Sequence, residues 1–154
     1  MADAATAHGV QPAKPQVRAW GDELAGFEEA SSRGRLVVRR CDACLHLQWP
    51  PRSACQSCLG GGFDWVEIGG RGHIYTWTEV HRSSLEDFAG SVPYIVCIVE
   101  MDESPDLRML GLLEGGTVPS IGVPVHGSAV STGTAAPTIR WTLITDGDEF
   151  AENR

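Results

Sequence analysis

Cys41-Asp42-Ala43-Cys44 and Cys55-Gln56-Ser57-Cys58 decide how this chain is read. Each is a C-x2-C pair, and ten residues lie between them. Such a pair forms a tight knuckle that aims two thiolates at one point. Two knuckles at hairpin distance complete a tetrahedron of sulfur, which suits zinc and excludes water. Trp49-Pro50-Pro51-Arg52 is a natural turn between them. With no open coordination position the site is structural rather than catalytic, and metal binding is part of the ribbon's folding free energy. Iron sits in similar sites, so the spacing names Cys41, Cys44, Cys55 and Cys58 as ligands of one metal ion without separating zinc from iron. Knuckles commonly carry glycine after the second cysteine, where positive φ frees backbone amides toward sulfur. Here Leu45 and Leu59 occupy those places. Gly60-Gly61-Gly62 relieves the second knuckle but nothing relieves the first.

Working outward, Leu36-Val37-Val38-Arg39-Arg40 reads as the strand entering the ribbon and Phe63-Asp64-Trp65-Val66-Glu67-Ile68 as the strand leaving it. Upstream, Trp20, Leu24 and Phe27 fall at i, i+4 and i+7, and Ala30 continues the stripe, so residues 20–35 are expected to form a short helix. Gly26 weakens it, and Gly34 is placed to end it in a left-handed turn. One apolar stripe serves equally for packing on its own domain or for docking on a partner. Residues 1–19 are expected to be a flexible tail.

Downstream, residues 72–80 are rich in aromatic and β-branched residues, with His73, Tyr75 and Trp77 expected on one face and Ile74, Thr76, Thr78 and Val80 on the other. Residues 94–101 are a near-continuous apolar run, the pattern of a strand covered on both faces. Residues 107–113, after a turn at 102–106, and then 123–130 and 138–144 complete five short strands. They suggest a small, partly open β-barrel. Residues 146–154 are an acidic tail. The division expected is therefore tail 1–19, helix 20–35, ribbon 36–68, barrel 69–145 and tail 146–154, a mainly β chain.

Composition bounds the function. The 154 residues suffice for about one domain with an appendage. No apolar stretch reaches membrane-spanning length, and the N-terminus has no secretory pattern, so a cytosolic, reducing setting is expected. There, closely spaced cysteines signal metal or catalysis rather than disulfides. The formal net charge is −8, unevenly spread. Residues 33–82 carry seven arginines against four acids, whereas residues 83–154 carry three arginines against eleven acids. That is a weak electrostatic footprint for nucleic acid. The chain has no Walker loop, no G-x-G-x-x-G, no G-x-S-x-G and no H-x-x-x-H. Cys97 reads as a small core residue inside an apolar strand, without a neighbouring base to activate it. His81-Arg82 reads either as an anion contact or as a solvated strand end. On residues alone this is a binding module without an active site of its own.

The runs Gly34 to Cys44, Trp49 to Arg52, Trp65 to Gly72, Tyr75 to Arg82, Val92 to Val96 and Ile121 to Val125, in this order, resemble a family of accessory proteins of acyl-CoA enzymes. It is built from a rubredoxin-like zinc ribbon and a C-terminal five-stranded OB-fold barrel, and was long catalogued as a domain of unknown function. The resemblance covers roughly residues 20 to 145. It implies a non-catalytic small subunit that binds and stabilises a thiolase-like large subunit in a hetero-oligomer. Such assemblies perform thiolysis, acyl transfer or retro-aldol C–C cleavage, in lipid, aromatic or steroid degradation. It also implies one structural zinc, and a CoA thioester at the complex interface whose phosphates Arg52, His81 and Arg82 contact. Trp65, Trp77 and Trp141 offer interface area, or, for Trp77 above all, fill the barrel. The alternative is a single-strand nucleic-acid binder, a job that zinc ribbons and OB-folds both do. A stand-alone acyl-CoA enzyme is a third reading, without a visible catalytic constellation.

Overall fold

The computed structural model describes residues 21–84, 86–131 and 137–145. Trp20 and the two tails named above lie outside these residues. A 3-10 turn, Gly21–Leu24, leads into helix α1, Ala25–Ser31. Phe27 and Ala30 are buried on its inner face, and Leu24 packs beside them. The helix stops where Gly34 takes a φ of 71°. Gly26 has a packing role: a β-carbon there would collide with the indole of Trp65, so its bare backbone lets the ribbon lie against the helix.

The ribbon is a three-stranded antiparallel sheet in the order β2–β1–β3. Strand β1 is Val37–Cys41, β2 is Leu47–Gln48 and β3 is Phe63–Glu67. Arg39 locks it from within. Its guanidinium lies 5.3 Å from the Phe63 ring and 5.4 Å from that of Trp65, and Nη1 donates to the Arg52 carbonyl at 3.1 Å. That cation–π contact ties the strand entering the knuckles to the strand leaving them.

The second unit is a barrel of β4 Arg71–Val80, β5 Tyr94–Met101, β6 Ser104–Leu113, β7 Pro124–Val130 and β8 Thr138–Leu143. Its order is β4–β5–β6–β8–β7, with β7 returning to β4, and the barrel is closed rather than partly open. All pairings are antiparallel except β6 with β8, where Leu112 and Leu113 pair with Arg140 and Trp141 in parallel. A short helix α2, Glu86–Ala89, lies in the β4–β5 connection.

Two local expectations are corrected. A register shift between Ile74 and Thr76 reverses the alternation of β4. Ile74 is buried and Trp77 packs on the core, while Tyr75, Thr76 and Thr78 are exposed. Trp77 is thus on the inner side with Ile74, because one extra residue in a bulge flips every side chain beyond it. The turn expected over 102–106 is shorter: β6 starts at Ser104, paired with Met101.

The barrel core alternates along β5 and β6, through Ile95, Cys97, Val99 and Met101 facing Leu107, Met109 and Leu113. Trp141 fills the centre and is fully buried. A β-carbon on Gly111 or Gly127 would strike its indole, so two strands thin their backbone to make its slot. Trp141 therefore belongs to the core and presents nothing to a partner.

Candidate metal centre

The two knuckles are built alike. In the first, Leu45 N–H donates to the Cys41 carbonyl at 2.9 Å, and Cys41 N–H to that of His46 at 3.0 Å. In the second, Leu59 N–H donates to Cys55 at 3.0 Å, and Cys55 N–H to Gly60 at 2.8 Å. The turn that closes each loop demands left-handed backbone after the second cysteine. Leu45 and Leu59 supply it themselves, with φ of 61° and 63°. Their side chains are 65% and 80% exposed, so no tertiary packing adds to the cost of about 1–2 kcal/mol that each Cβ meets against its own backbone in this region. The relief expected from Gly60-Gly61-Gly62 is not how the second knuckle is made.

Cys41, Cys44, Cys55 and Cys58 bring their sulfurs within 4.8 Å of one another. Cys41 Sγ lies 3.6 Å from Cys58 Sγ, and Cys44 Sγ lies 3.6 Å from Cys55 Sγ. A tetrahedron with metal–sulfur bonds of about 2.3 Å has edges of about 3.8 Å, so the four fit one zinc-sized ion. Cys41 and Cys55 are buried and Cys44 and Cys58 exposed. Backbone N–H groups of Cys58 and Ser57 aim at Cys55 Sγ and outweigh its burial, lowering its pKa to about 6. The Gly60 N–H would also lower Cys58, but the Cys44 and Cys41 sulfurs, burial and Cys55 outweigh it and push Cys58 up to about 12. One thiol ionises readily and the next is opposed by its neighbours, so full thiolate character at all four calls for a cation at their centre. Gln48, buried beneath the second knuckle, accepts the Gln56 N–H at 3.2 Å and ties β2 to it. Nothing in the cysteine spacing announces that support.

The other expected site residues are not brought together. Arg52 is exposed on the ribbon turn, and its carbonyl is occupied by Arg39. His81 and Arg82 are exposed just beyond β4, where His81 Nε2 lies 3.0 Å from the Glu79 carboxylate. Among the described residues, no hydrogen bond or ion pair joins Arg52 to His81 or Arg82. Cys97 is buried, and burial pushes its thiol up to about 11, away from nucleophilic character. No helix among the described residues is long and apolar enough to cross a membrane.

A four-thiol ribbon fused to a closed five-stranded barrel defines a β scaffold with four cysteines positioned to bind one metal. Comparison with known proteins gives the family. The rubredoxin-like zinc ribbon domain of ChsH2 matches residues 29–64, and the C-terminal OB-fold domain of ChsH2 matches residues 65–130. The chain belongs to this ChsH2-type DUF35 family of zinc ribbon plus OB-fold proteins. It is similar to a probable enoyl-CoA hydratase alpha subunit of Thermomonospora curvata, 37% identical over 108 residues, covering 68% of this chain and 32% of that protein. It is also similar to the benzoylsuccinyl-CoA thiolase subunit BbsA of Thauera aromatica, 30% identical over 105 residues, 66% of this chain and 67% of that one. The solved Ltp2-ChsH2(DUF35) aldolase superposes with a TM-score of 0.67 at 29% identity, over 79% of this chain and 94% of that one. The chain thus spans about a third of the Thermomonospora protein's length. Its homologues are DUF35 scaffold proteins and subunits of thiolase- and aldolase-like enzymes.

Proposed function

We propose that this chain is a non-catalytic small subunit that binds and stabilises a thiolase-like or aldolase-like acyl-CoA enzyme, in a cytoplasmic hetero-oligomer. One observation carries the reading. The only cluster of three or more metal-ligating side chains among the described residues is a closed four-thiol centre, and the fifth cysteine, Cys97, is buried elsewhere with its thiol pKa pushed up to about 11. Such a molecule offers shape and stability rather than a nucleophile. The metal is one structural zinc held by Cys41, Cys44, Cys55 and Cys58. It fixes two knuckles at one end of the ribbon and leaves the chemistry to the partner. Arg52, His81 and Arg82 are the residues we assign to CoA phosphates. Arg82 is the strongest of these, because Glu79 already engages His81.

The test is co-purification of the tagged chain from its native cells, with mass spectrometry of what accompanies it and metal analysis of the same sample. A stoichiometric thiolase-like or aldolase-like protein with about one zinc per chain is the expected result. A lone monomer, or one that brings down nucleic acid, overturns the reading. Acyl-CoA turnover by the pure chain overturns its non-catalytic part.

A further inference from the structure

The sulfurs of a metal centre are also nucleophiles, because a ligand must be a thiolate and the thiolate is the form that attacks a peroxide. The four here are not equally open to attack. Cys44 and Cys58 are exposed, one on each knuckle, while Cys41 and Cys55 are buried. The close sulfur contacts cross between the knuckles and join an exposed cysteine to a buried one. Cys44 Sγ meets Cys55 Sγ, and Cys58 Sγ meets Cys41 Sγ, each at 3.6 Å. Gly60 adds an opening. A β-carbon there would lie 3.4 Å from Cys58 Sγ and 3.7 Å from Cys41 Sγ, so this position presents bare backbone where a side chain would cover the pair. Its φ is not positive, so the turn does not demand glycine. What the glycine supplies is access.

Cys97 is the contrast, buried in the barrel and outside this cluster. In a reducing compartment thiols stay reduced, and the disulfides that do form there are transient and report oxidant. The chemistry follows from the contacts. The Cys44 thiolate attacks the near oxygen of a peroxide. An S–O bond forms, the O–O bond breaks, and the far oxygen leaves as hydroxide or alkoxide. The Cys55 thiolate then attacks the sulfur of the resulting sulfenic acid. An S–S bond forms, the S–O bond breaks, and hydroxide leaves. Each disulfide consumes one peroxide, which takes two electrons from the sulfur pair. Cys58 and Cys41 repeat the sequence. The first disulfide leaves the ion two of its four ligands, and the second leaves it none.

We propose that Cys44 and Cys58 are sites of reversible oxidation by peroxides, each resolved by the buried cysteine of the opposite knuckle, so that the ribbon releases its metal when oxidant rises. This rests on the structural-zinc reading above and goes beyond it, by giving the four-thiol centre a second state.

Hydrogen peroxide added to the full zinc-loaded chain tests it, in wild type, Gly60→Ala and Gly61→Ala. Zinc release is followed with a colorimetric chelator, and linkages are mapped by mass spectrometry without reduction. A β-carbon at Gly61 would approach only the Ser53 carbonyl, at 3.7 Å, so that variant leaves the sulfurs uncovered. Wild type is expected to lose its zinc in step with disulfides joining Cys44 to Cys55 and Cys41 to Cys58, with Cys97 unmodified. Reduction by a dithiol is expected to restore zinc binding. Gly60→Ala is expected to slow the disulfide between Cys41 and Cys58 several-fold, since access limits the attack, and Gly61→Ala to match wild type. Zinc retained in excess peroxide overturns the proposal. So do disulfides confined within each knuckle, Cys41 to Cys44 and Cys55 to Cys58, or oxidation of Gly60→Ala at the wild-type rate. A chain that takes up no zinc at all overturns the structural-zinc reading, and cross-knuckle disulfides in it would still uphold the oxidation site.

Discussion

The ribbon and the barrel keep their shapes by different means. The barrel buries a continuous apolar core, from Ile74 through Val99 and Met109 to Trp141, inside a sheet closed on itself. The ribbon has three short strands, β2 only two residues long, and its fully buried side chains include Val38, Gln48, Pro51 and the two cysteines Cys41 and Cys55. A sheet so small cannot offset the entropy of ordering its loops by burial alone. The contrast is of one chain that relies on the hydrophobic effect where strands close on themselves and gathers four thiols positioned for a metal where they cannot.

Removing the metal is the largest expected way to break that contrast. Structural zinc contributes about 10–16 kcal/mol to folding in small ribbons at neutral pH. Cys41→Ser, or treatment with a strong chelator, is expected to abolish amide-exchange protection in β1 and β3 while β5 and β6 remain protected. Loss of protection in both units together would show that the barrel leans on the ribbon and that the two are one cooperative system.

Trp141→Ala attacks the other unit. Emptying a site framed by Gly111 and Gly127 is expected to cost about 3–5 kcal/mol. The unfolding midpoint of the barrel should fall by more than about 6 °C while metal content is unchanged. Trp141→Phe should cost clearly less. It keeps most of the volume and removes an indole N–H that has no acceptor. Equal losses for the two variants would count against a packing role.

The smallest effect concerns the fifth cysteine. Burial raises the Cys97 pKa to about 11 from an ordinary 9.0. Because the folded value is the higher one, this contribution to stability is complete below the unfolded pKa, and is lost as pH rises through about 11. A thiol reagent at pH 8 is expected to leave Cys97 untouched in the zinc-loaded chain and to modify it only on unfolding. Rapid modification of Cys97 in the folded state would contradict the burial on which its non-catalytic reading stands.

The legible parts were those governed by short-range chemistry. C-x2-C spacing announces four ligands because the knuckle is local, and Gly34 announces the end of α1 because positive φ is cheap for glycine. The strands were legible from composition, yet the face of β4 was misassigned for Trp77, since a bulge between Ile74 and Thr76 leaves no mark in the alternation of residue types. The positive φ of Leu59 was hidden as well, because the glycines that follow it advertise a different solution.

By itself the sequence determined the ligand set, the order of helix, ribbon and strands, and the lack of a familiar catalytic motif, all properties of neighbouring residues. Tertiary structure alone decided that β8 closes the barrel in parallel against β6, that Trp141 is interior, and that Phe27, Trp49, Phe88 and Leu110 wall one cleft. The physical reason is distance along the chain. These residues span more than eighty positions, and only closure of the barrel and docking of the ribbon bring their side chains into one place.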